Sequence, residues 1–161
     1  MEKFEISGLD KEFNYIHLSL KKNINKNPMS SFNTHLSFKD NPLSKYSIIQ
    51  CNYSFHQLVD DKSRPSTPAR GGNIMVQIST PPDNVLLKWM VDSYKIRSGM
   101  ITFYKIDEET AFQRVVFNDA YCVEYHTHFS AVGSSSMITT IIIASKSLSI
   151  NGTDHNNDWP A

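Results

Sequence analysis

The chain has little of what marks most specialised classes of protein. It carries two cysteines, Cys51 and Cys122, in 161 residues. That is too few for a disulfide scaffold, and both fall inside strand-like runs, where a cysteine acts as a small apolar side chain. There is no excess charge of either sign, because 16 basic residues balance 16 acidic ones. Nucleic acid and anionic membranes are thereby disfavoured as partners, since either calls for a basic surface. No apolar run approaches the roughly 20 residues that span a bilayer. The opening Met-Glu-Lys-Phe-Glu-Ile mixes charges and lacks the apolar core of a signal peptide. The expectation is a chain made in the cytosol without a classical export signal, so the sequons at Asn52 and Asn151 imply no glycan. Repeats and low-complexity tracts are also missing.

Convergent chemistry is scarce as well. His126-Thr-His128 is the sharpest enzymatic pattern: residues two apart on a strand face the same side and both imidazoles could reach one metal. Cupin barrels use such a pair with a Glu a few residues later, but Phe129-Ser-Ala-Val132 offers none. A third ligand would have to be His155 or a distant residue, so the plainer reading is two histidines on a solvated strand face. Gly71-Gly72 opens a strand and lacks the Gly-Lys-Ser/Thr ending of a phosphate loop; it reads as a turn or bulge at strand entry. Ser134-Ser135-Ser136 lacks the flanking glycines of a nucleophile elbow. Asp107-Glu-Glu109 reads as a solvated turn. With no nucleophile, base and orienter converging, the expectation is no enzyme, no metal and no cofactor.

What is present is a period of two. Residues 1–28 read as an N-terminal appendage or as the product of an upstream start codon, with Leu9, Phe13, Ile16 and Leu20 on one helical stripe, Ile16, Leu18 and Leu20 equally spaced for a short strand, and a polar linker ending at Pro28. The compact domain is expected over 29–161. Phe32, Thr34, Leu36 and Phe38 alternate with polar neighbours, as in a half-buried strand. Asn41-Pro42 marks a turn, and Tyr46 to Phe55 gives a second strand. Asn73 to Thr80 gives a third, stopped by Pro81-Pro82. Asp83 to Tyr94 is the one helix, with Asp83 as N-cap and Val85, Leu86, Trp89 and Met90 on its apolar face. Met100 to Ile106 is a fourth strand. Phe112 to Phe117 and Ala120 to Phe129 are a fifth and sixth, joined by the tight-turn pair Asn118-Asp119. Met137 to Ile150 is the last, with Ile141-Ile-Ile143 unbroken as where both faces are covered. A polar tail follows. The sum is a mainly β fold: a small antiparallel barrel of two sheets with one packed helix.

The order of these pieces resembles the tube protein family of type VI secretion systems, Hcp or TssD, in the branch found in Bacteroidetes. The matching features run from Ser31 to Pro160. They include "CNYSFHQLVDDKSRPS" followed by "GGNIMVQIST", the helix "PDNVLLKWMVDS", then "SGMITFYK", "RVVFNDAYCVEYHTHF", a long strand ending "IASKSLSING" and a terminal "NDWP". The family domain begins close to its first methionine, whose counterpart here is Met29. The resemblance implies hexameric rings stacked into a hollow tube inside a contractile sheath, capped by a spike and built on a baseplate. It implies that the tube carries effectors and leaves the cell by that apparatus, to the extracellular space or a target cell, with no catalysis of its own.

Between the second and third strands lies "SRPSTPARGGN". In the light of the resemblance, Gln57 to Gly72 reads as an arm that reaches across a subunit or ring interface. Pro65 and Pro68 stiffen it by fixing φ. Asp60, Asp61, Arg64 and Arg70 offer charged contacts. Gly71 and Gly72 bend the chain back into the sheet. The alternatives are a monomeric ligand-binding barrel with residues 57–72 as lid, and the cupin-like metal protein using His126 and His128.

Overall fold

Alternating apolar residues decide the architecture, because a strand with one oily face must close that face against others. In the computed structural model, described for residues 32–106, 110–132 and 137–159, the order is β1 (Phe32–Phe38), β2 (Asn41–Tyr53), β3 (Asn73–Ser79), α1 (Val85–Val91), β4 (Arg97–Lys105), β5 (Ala111–Phe129), β6 (Met137–Ile150) and β7 (Thr153–Asn156). The N-terminal appendage, Asp107-Glu-Glu109 and the serine run at 134–136 lie outside the described residues.

Strands pair in the order β3-β2-β1-β4-β5-β6, and β6 returns to pair with β3. Every pairing is antiparallel, so six strands close a barrel. Ile138–Ala144 of β6 meet β3, while Ser147–Ile150 of the same strand meet β7. β3 and β7 therefore lie end to end along one side of β6. Closure is incomplete in two places. Residues 48–53 of β2 pair with β3 alone, and residues 121–129 of β5 pair with β6 alone, among the described residues. Each leaves a run of unpaired backbone groups on an open edge.

The core follows the alternation. Leu36, Ile74, Val76, Ile78, Ile101, Val115, Phe117, Ile141 and Ile143 are fully buried. α1 turns Leu86 and Trp89 inward. Phe38 stands edge-on to Trp89 at 5.3 Å and to Phe117 at 6.2 Å. A charge sits in this layer. The Arg97 guanidinium lies 3.7 Å above the Phe38 ring and donates from Nη2 to Asp40 Oδ1 at 2.7 Å and Oδ2 at 2.9 Å. A buried guanidinium needs such a partner. In return, the Arg97 hydrogen bonds hold the Asp40 carboxyl below its usual range.

Four expectations are corrected. First, the fifth and sixth strands are one strand of 19 residues, β5. Asn118-Asp119 is a bulge, two residues opposite Ser98, with Asp119 at φ 50° and its N–H donating to Ser98 Oγ at 3.0 Å. A tight turn and a bulge both call for a left-handed residue, so the dipeptide signals either. Second, the helix spans Val85–Val91 rather than Asp83 to Tyr94. Asn84 holds the cap position, and Asp83 Oδ1 accepts the Val85 N–H at 3.0 Å. Third, the turn after β1 is Lys39-Asp40. Asn41 already pairs with Phe38, and residues 42–44 loop out of the ladder before Lys45 meets Ser37. Fourth, the polar tail contains β7, joined to β6 through Asn151-Gly152, whose φ values are 48° and 87°. Two consecutive left-handed residues make the hairpin turn that an Asn-Gly pair favours.

Candidate functional site

The chain leaves β2 at Tyr53 and returns as β3 at Asn73, and the segment between is a hairpin arm. His56 and Arg70 exchange backbone hydrogen bonds of 2.9 and 2.8 Å. Val59 faces Pro65, a position where the missing proline N–H costs nothing. Leu58 O accepts the Ser66 N–H at 2.8 Å, and Thr67 Oγ1 accepts the Leu58 N–H at 3.1 Å.

The tip is organised by Asp60. Its Oδ1 accepts the backbone N–H groups of Lys62 and Arg64, both at 2.9 Å. Its Oδ2 accepts Arg64 Nε and Nη2, both at 2.9 Å. The Arg64 backbone N–H, with the side-chain and Lys62 bonds behind it, holds the Asp60 carboxyl below its ordinary range. Ser63 takes φ 60° to complete the turn. Arg64, read as a group offered outward, is thus tied to its own arm. Asp61 is exposed and makes no side-chain bond among the described residues.

The base is organised by residues that the sequence reading passed over. Asn157 Nδ2 donates to Gly71 O and to Ser145 O, each at 2.9 Å. Ser145 Oγ donates to Gly72 O at 2.9 Å. Phe55 stands edge-on to His155 at 5.0 Å, and Trp159 packs on Tyr121 at 5.8 Å. The C-terminal segment therefore clamps the arm to β6. Gly72 sits at φ 92°, and a Cβ there would lie 2.3 Å from Asn157 Nδ2. At Gly71 a Cβ would meet the Phe55 ring at 2.3 Å. Both glycines are required by close approach, and Gly72 also by its backbone angle. The missed signal was Asn151-Gly152, which announces a hairpin and so a strand in the tail.

Between the arm base and this clamp lies a cavity of about 540 Å³, lined by His56, Pro68, Arg70, Asn157, Asp158 and Trp159 among others. The Arg70 guanidinium has no ion-pair partner among the described residues.

The alternative sites gain little. His126 and His128 are exposed on the outer face of β5, with His126 Nε2 2.9 Å from Glu124 Oε1. Among the described residues no three His, Cys, Asp or Glu side chains are grouped to hold a metal. Cys51 and Cys122 are unpaired, and burial pushes each thiol up to about 11. The side chains that the strands turn inward are buried, as described above. No helix among the described residues is long and apolar enough to cross a membrane.

The model of the family described as hemolysin coregulated protein Hcp (TssD) matches residues 30–160. The structure is similar to Hcp1 from Flavobacterium johnsoniae at 26% identity and a TM-score of 0.73, covering 78% of this chain and 99% of that one. It shares its fold with Hcp1 from Salmonella typhimurium at 11% identity and a TM-score of 0.61, covering 78% and 92%. It also shares it with a chain of the sheath-tube complex of an extracellular contractile injection system, at 12% identity and a TM-score of 0.51, covering 80% and 94%. No curated protein matches the sequence.

Proposed function

Because the chain belongs to the Hcp (TssD) family, we propose that it is a structural subunit of a type VI secretion tube, assembling into hexameric rings that stack, carry effectors and are expelled by sheath contraction. The observation that carries this is the family match over residues 30–160, which includes every described residue. The fold supports it physically. Among the described residues, two open strand edges, at residues 48–53 and 121–129, leave backbone groups for a neighbour to cover. A contact between unlike surfaces repeats around an axis and closes when the rotation allows.

The subunit has no catalytic task in this reading. It is made in the cytosol and leaves by the apparatus, with spike, sheath and baseplate as the other partners. The arm, residues 57–72, belongs to the contacts between subunits or rings. Electron microscopy of the purified full-length chain tests the proposal. Rings with an open centre are the expected image; scattered single particles of monomer size would reject it.

A further inference from the structure

The two open strand edges differ in charge. Residues 48–53 of β2 carry no acidic, basic or histidine side chain. Residues 121–129 of β5 carry Glu124, His126 and His128, at alternate positions and so on one face. That face is the outer one. All three side chains are exposed, and they pair with Ile142, Thr140 and Ile138 of β6, while the neighbouring Ile141 and Ile143 are buried. The Glu124 carboxylate lies 2.9 Å from His126 Nε2. Among the described residues no ion pair includes His128. The same rows continue through Met75, Gln77 and Ser79 of β3 and reach Asn52 and Gln50 of β2 without another charge. Asp158 precedes Trp159, whose ring packs on Tyr121, five residues before His126. On the other side of this edge nothing pairs with it among the described residues.

We infer that this edge makes ring assembly sensitive to pH: with His126 and His128 neutral it docks on the uncharged β2 edge of the next copy, and protonating them weakens that contact. This rests on the tube reading and adds a regulation to it. Histidine changes charge between about pH 5 and 8, so acid takes the strip from one negative charge to one positive. Docking strips water from a strand edge, which a neutral imidazole tolerates and an imidazolium tolerates only beside an anion. Residues 48–53 supply none. Glu124 balances His126, but one carboxylate cannot balance two imidazolium ions. The two cations stand about 7 Å apart along the strand and repel. Separated copies therefore bind protons more readily than docked ones, and ring stability falls as pH falls.

The test uses the full-length chain in a metal chelator, with mass read by light scattering across concentration at about pH 7.5 and about pH 5.5. The concentration at which rings form should rise roughly ten-fold or more at the lower pH, a modest share of what unfavourable charge costs at an interface. His126→Gln/His128→Gln keeps both side chains polar and uncharged, and should assemble alike at the two values. His128→Gln alone should remove most of the response, and Glu124→Gln should enlarge it. Far-UV circular dichroism should be the same at both values; a strand signal lost at the lower pH would overturn the edge contact as the cause. Rings formed equally well at both values by wild type, or a full response kept by the double variant, would overturn this inference alone. Absence of rings from wild type at the higher pH would overturn the tube reading with it.

Discussion

Replacing Gly72 by alanine should destabilise the protein by more than its backbone angle explains. A residue with a Cβ at φ 92° carries a strain of about 1–3 kcal/mol. The added methyl would also lie 2.3 Å from Asn157 Nδ2 and 3.1 Å from Ser145 O. The amide must then swing away and give up its bonds to Gly71 O and Ser145 O, both 2.9 Å. At about 0.5–1.5 kcal/mol for each bond, Gly72→Ala should cost roughly 2–6 kcal/mol in all. Asn157→Ala removes the same two bonds and should cost about 1–3 kcal/mol. The double variant loses them once, so its cost should fall short of the sum by about 1–3 kcal/mol. Gly152→Ala is the control. Its φ is 87°, but nothing lies within 4 Å of the added methyl, so it carries the strain alone. Urea denaturation at one fixed protein concentration reads all four, since assembly makes stability concentration-dependent. Strict additivity, or equal costs at Gly72 and Gly152, would refute the clamp between the tail and the arm.

Two further outcomes are expected. Asp40→Ala leaves the Arg97 guanidinium, 5% exposed, without its carboxylate, and should cost about 1.5–3 kcal/mol at neutral pH. Because Arg97 lowers the folded Asp40 pKa, the stability it adds is present above the ordinary carboxylate value and is lost as pH falls through the folded one. The gap between wild type and variant should therefore narrow on acidification in denaturation curves; a gap that widens would contradict the pairing. The two thiols, pushed up to about 11 by burial, should react with a thiol reagent at pH 8 on the order of a hundred-fold more slowly than in urea. A raised thiol pKa also means stability that declines as pH climbs from the unfolded value toward 11; labelling as fast as in urea would show that Cys51 and Cys122 are not buried.

The barrel was legible because its strands alternate strictly. Phe38, Leu36, Ile74, Val76 and Ile78 all point inward as the period of two requires. In the unbroken Ile141-Ile-Ile143, Ile141 and Ile143 are buried but Ile142, on the other face, is only partly so, and full cover is found on one side alone. What misled was punctuation. Asn118-Asp119 and Asn41-Pro42 carry turn chemistry, but one is a bulge in a continuous strand and the other starts β2, since local propensity cannot tell a reversal from a kink. The arm was visible as an insert with two prolines and two glycines, and its limits at Gln57 and Gly72 lie inside the hairpin. Its internal bonds were not visible. Whether Arg64 faces outward or returns to Asp60 depends on a single left-handed residue, Ser63. Asn157, which holds the base, lies more than 80 residues away from Gly71 in sequence. Contacts of that separation leave no local pattern to read.

The measurement that bears most directly on the central claim is the mass of the full-length chain by light scattering after size exclusion, across a range of concentrations. Ring assembly predicts a sharp species near 110 kDa, roughly six times the 18.4 kDa subunit. A single species at the subunit mass at every concentration would contradict it and return the barrel to the class of monomeric binding proteins.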